Sequence, residues 1–144
     1  MGLDAVVYKH RSKLPMDPEL AGLQMEPNTH EWYPVDDQLP EPIRSVGVQA
    51  LHHWLGNLSS IRCLYAQVAS MLPADSVLLA NVLYGGAHCG DVISLDRVSV
   101  LKREISVLRN SGGSPLSSEL ELLLERLDQL VDAAEDNQNP IVFV

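Results

Sequence analysis

A chain of 144 residues, 46% hydrophobic and 20% charged, carries enough apolar material for the core of one domain, which excludes general disorder. Its formal charge of −9 repels phosphate backbones, so nucleic acid is not an expected partner. No run reaches ~18 consecutive apolar residues, so no membrane span is expected. The two cysteines, Cys63 and Cys89, are too far apart for a paired motif and read as reduced thiols of a cytoplasmic protein.

Taken in chain order, LDAVVY (3–8) is short, apolar and β-branched, and predicts an inner strand. The following KHRSK is basic, so the N-terminus runs from apolar to basic, the reverse of a secretory signal. Residues 14–42 hold six of the nine prolines, yet GLQMEPNTHEWYPV within them has the form of a hairpin. Leu23 and Met25 alternate with polar residues on one arm, Trp32 and Tyr33 lie on the other, and Pro27-Asn28 suit the turn. VQALHHWL (48–55) reads as a short apolar piece ahead of a helix, across Gly56.

Three helices are predicted after it. Over 57–72, Leu58, Ile61, Leu64, Tyr65, Val68, Met71 and Leu72 form one stripe, with Asn57 as N-cap and Pro73 beyond the end. Over 95–109 the stripe is Leu95, Val98, Leu101, Ile105 and Leu108, with Ser94 as cap. The last runs from Ser118, which forms a capping box with Glu121, through Leu120, Leu123, Leu124, Leu127, Leu130, Val131 and Ala134. Asp132, Glu135 and Asp136 crowd its negative end, which reads as a solvated turn or as an acidic patch for a basic partner. IVFV (141–144) predicts a second buried strand, opened by Asn139-Pro140. The expected fold is therefore α+β over a single domain, 1–144. A small mixed or antiparallel sheet of terminal strands plus the hairpin is covered by three or more amphipathic helices.

Chemistry concentrates in LYGGAHCGD, residues 83–91. A nucleophilic Cys89 needs a base in reach, and adjacent His88 diverges from it on extended chain. His88 and Asp91, three apart, could serve an open metal site, but the paired spacing of zinc signatures is absent. Gly85, Gly86 and Gly90 could aim amides at an anion, but the loop lacks the lysine and the spacing of phosphate-binding loops. Otherwise the glycines simply turn the chain. Neither a cofactor nor a metal is implied. The aromatics Trp32 and Tyr33 on the hairpin, rimmed by Glu31, Asp36, Asp37 and Glu41, and Trp54 near a helix end are candidates either for the core or for contact with a basic protein.

With those residues in view, the sequence resembles a group of small bacterial proteins that begin MGLDAVVY and end NPIVFV. They share a GN pair opening a helix, here Gly56-Asn57, and a YxGxHxGD loop, here Tyr84, Gly86, His88, Gly90 and Asp91. The resemblance implies a common fold unit and a ligand-binding candidate in that loop, in which Cys89 has no part. It carries no catalytic role. The expected function is a non-enzymatic, acidic, cytosolic binding protein that neutralises or regulates a basic partner. The alternative is a small enzyme or ligand-binding domain with His88 and Asp91 in a cleft beside Tyr84.

Overall fold

The computed structural model describes residues 2–14, 23–27, 32–34, 48–85, 88, 90–111 and 115–144. Its centre is an antiparallel sheet of four strands: β1 (Gly2–Tyr8), β4 (Gln49–Asn57), β5 (Val92–Ile93) and β6 (Ile141–Phe143). Their order is β4-β1-β6-β5, so the two strands read from the chain ends lie side by side in the middle. Ala5 pairs with Phe143 and Val6 with Val142. Inner strands are covered on both faces, which is why residues 5–8 of β1 and the whole of β6 are apolar at successive positions instead of alternating. Ala5, Val6, Val7, Tyr8, Ile141, Val142 and Phe143 are all fully buried.

Three helices cover one face: α1 (Leu58–Ala69), α2 (Leu95–Arg109) and α3 (Ser118–Asn137). Leu3, Ala5, Val7, Ile141 and Phe143 meet Ile61, Leu64, Val68, Leu101, Ile105 and the buried leucines of α3 in the main core. Asn57 caps α1, its side chain accepting from the Ser60 amide at 2.9 Å. A π-helical turn (Leu78–Val82) precedes the glycine loop, and the Glu104 carboxylate holds its start by accepting from the amides of Val77 and Leu78 at 2.8 and 2.9 Å.

The hairpin forms, as β2 (Leu23–Met25) and β3 (Trp32–Pro34), but not within the main sheet. It is a separate two-stranded sheet whose Trp32 and Met25 pack against Val6, Tyr8, Val48 and Val142 on the face opposite the helices. The molecule thus has helices, sheet and hairpin in three layers. The bulky apolar side chains of the hairpin explain the placement: they cover a sheet face, which edge pairing would leave open to water. Two buried asparagines fasten this side. Asn139 donates to the Tyr8 carbonyl at 2.8 Å, and Asn137 accepts from the His10 amide at 3.2 Å.

Three further expectations need correction. VQALHHWL, read only as a short apolar piece ahead of a helix, belongs from Gln49 on to strand β4 and pairs with β1. Its register slips twice, skipping Leu55 and Ala50, and such bulges disguise a period of two. Ser94 makes no capping bond to α2; its hydroxyl donates to Asp96 at 2.6 Å and holds that carboxyl below its ordinary pKa. The cap of α3 is Ser117, accepting from the Leu120 amide at 3.2 Å, so Glu121 lies one place too far along for a capping box and sits 3.8 Å from Arg109.

Candidate functional site

The loop between the π-helical turn and β5 is built around Tyr84, His88 and Asp91. The turn delivers Tyr84, and β5 takes up the chain directly after Asp91. Gly90 has φ +88°, a conformation that side chains rarely adopt, and this glycine lets the chain fold back so that its amide reaches the Phe143 carbonyl at 2.8 Å. The Phe143 amide returns a bond to the Asp91 carbonyl at 2.9 Å, and the Asp91 amide closes a turn on the His88 carbonyl at 2.8 Å. The loop is thereby tied to the inner strand β6.

The side chains converge. The Tyr84 hydroxyl donates to Asp91 Oδ2. That bond, then burial, then the carboxylate charge push the phenol up to about 12. The His88 ring stacks at a tilt on Tyr84, centroids 4.0 Å apart, and lies 5.3 Å from Phe143. His88 Nε2 is 3.0 Å from the Tyr84 carbonyl oxygen. A carbonyl only accepts, so Nε2 carries the proton and donates. In the neutral ring this leaves Nδ1 as a bare lone pair. Among the described residues Nδ1 is buried without a hydrogen-bond partner, 3.7 Å from Asp91 Oδ2. The His88 side chain is 10% exposed, while that of Asp91 is 46% exposed and opens the group to solvent.

Of the predicted loop residues, the structure brings together Tyr84, His88, Gly90 and Asp91. Gly86 and Cys89 lie outside the described residues. Among the described residues, no three of His, Cys, Asp and Glu cluster in a way that could hold a metal ion. The other described histidines have partners elsewhere: His52 with Asp4 at 2.9 Å, His53 with Gln129 at 2.6 Å, and His10 with Ser12 at 2.9 Å.

The aromatic partner surface changes most. Trp32 is 1% exposed, and its indole N–H donates to the Lys9 carbonyl at 3.3 Å, so it belongs to the core under the hairpin and is no exposed anchor. The side chain of Tyr33, and Asp36 and Asp37 altogether, lie outside what is described. The exposed tryptophan is Trp54, at 50%. Its ring lies so close over Gly2 that a Cβ there would strike the indole. Arg126 from α3 lies 6.0 Å from its ring and donates to its carbonyl at 2.8 Å. A strand reading of residues 49–57 would have put Trp54 and Leu55 on opposite faces, which the reading as a short apolar piece did not do. The acidic end of α3 is partly neutralised, with Lys102 2.8 Å from Glu135 and Lys13 donating to the Asp136 carbonyl at 2.6 Å. No helix among the described residues is long and apolar enough to cross a membrane. Comparisons of the chain with protein-family models, with curated proteins and with solved structures give no match.

Proposed function

We propose that this chain is a ligand-binding domain whose recognition group is the Tyr84–His88–Asp91 loop. One observation carries the reading: His88 Nδ1, nine-tenths enclosed, has no hydrogen-bond partner among the described residues and lies 3.7 Å from a carboxylate oxygen. Buried polar atoms are nearly always paired, and each exception asks for an explanation. Two acceptors side by side, of which only Asp91 Oδ2 has a donor, the Tyr84 hydroxyl, suit a ligand that brings an electropositive centre: an N–H, an O–H or a cation. Thermal-shift measurements with small amines, polyols and divalent cations test this on wild type, His88→Gln and Asp91→Asn. A ligand at 100 times its Kd adds about 2.7 kcal/mol, a shift of several degrees. The expected result is a compound that shifts wild type and neither variant. If every compound that shifts wild type shifts both variants equally, the reading fails.

A second reading keeps the expected non-enzymatic protein that neutralises or regulates a basic partner. The charge of −9 and the half-exposed Trp54 favour it, because aromatic anchors with electrostatic steering are a common recognition pattern. A partner captured at low salt by wild type, but not by Trp54→Ala, would support it. Equal capture by both would remove Trp54 from the interface.

A further inference from the structure

Resting on the ligand-binding reading, we infer that the electropositive centre taken by the loop is a divalent transition-metal ion, held by His88 Nδ1 and Asp91 and completed by water. The argument begins with what already holds the two groups. Metal-binding histidines almost always donate their other ring N–H to a carbonyl or carboxylate, and ligating carboxylates are themselves hydrogen-bonded. Both conditions are met by one residue: the Tyr84 carbonyl accepts from His88 Nε2, and the Tyr84 hydroxyl donates to Asp91 Oδ2.

The separation also fits. Zinc bonds to histidine nitrogen and carboxylate oxygen are ~2.0–2.2 Å long. One ion bonded to both atoms across 3.7 Å subtends roughly 125° with such bonds, and a few tenths of an ångström of closure makes that tetrahedral. Imidazole as a ligand selects zinc, nickel, copper or iron over magnesium or calcium, which prefer oxygen. Two protein ligands leave the other positions to water or to a bound molecule, so the site is open on the Asp91 side and its affinity is modest.

The test is titration of tag-free protein with Co²⁺, followed by its visible absorption and by calorimetry. Wild type is expected to bind near one equivalent. His88→Gln and Asp91→Asn are expected to bind at least tenfold more weakly. Tyr84→Phe, a positioning change, should weaken binding roughly 10–100-fold with the absorption envelope retained. Nitrogen-15 NMR of the imidazole gives an independent readout, since Zn²⁺ should move His88 Nδ1 and leave Nε2 protonated. Circular dichroism checks that each variant is folded. Wild type binding well under one equivalent, or both variants binding as wild type does, overturns the inference. If cobalt fails while an amine or polyol still separates wild type from His88→Gln in the thermal-shift experiment, the metal falls and the ligand-binding reading stands.

Discussion

Tyr84 is the residue on which the loop turns, because it orients His88 through its carbonyl and Asp91 through its hydroxyl. Its phenol is raised from 10.0 to about 12, with the hydrogen bond to Asp91 as the largest cause. The folded state therefore holds this proton more tightly than the unfolded chain does. The stabilisation is fully present below pH ~10 and is lost as pH rises towards 12. In a phenolate absorbance titration, the difference between wild type and Tyr84→Phe is expected to titrate near pH 12. Asp91→Asn should return that component towards 10. A difference titrating near 10 in wild type would show that the bond to Asp91 is not made in solution.

Among the elements, the helices were the most legible, and their caps the least. The leucine stripe of α3 declares one buried face, and every residue assigned to it is buried. Cap identity turns on which of two adjacent serines has extended backbone, and neighbouring Ser117 and Ser118 look alike until the chain is folded. The caps can now be told apart by experiment. Asn57→Ala and Ser117→Ala are each expected to cost ~0.5–2 kcal/mol in chemical denaturation, and Ser94→Ala much less, because only the first two accept a backbone N–H. Leu124→Ala and Ile105→Ala, both in the main core, are expected to cost ~2–5 kcal/mol each. Values below ~0.5 kcal/mol for both would place these helices away from the sheet. Strand β4 was hidden for a different reason. Val48, Leu51 and Leu55 fall at spacings of three and four, which suits a helix, and only long-range pairing with β1 overrides that local signal.

For the whole molecule, the apolar terminal strands made an α+β layer architecture readable, since a segment apolar on both faces must sit inside a sheet. Where the hairpin would go was not readable. Its turn chemistry specifies a local shape, while its docking depends on Val6, Tyr8 and Val142 presenting an uncovered face more than a hundred residues apart along the chain. The candidate site shows the same division. The residue types of the loop were visible, whereas the convergence of Tyr84 on Asp91 and the enclosure of His88 depend on Phe143, which arrives from β6.

The Val144 amide donates to the Asp4 carbonyl at 3.1 Å, so the two ends of this chain meet on one sheet. The order in which the polypeptide is written is thus separable from the shape it takes. A circular permutant, with residue 144 joined to residue 2 by a short glycine-serine linker and new ends cut between the exposed Ala74 and Asp75, is expected to unfold cooperatively with the parent far-ultraviolet spectrum. A permutant that populates no ordered state would mean that the seam between β1 and β6 does not form.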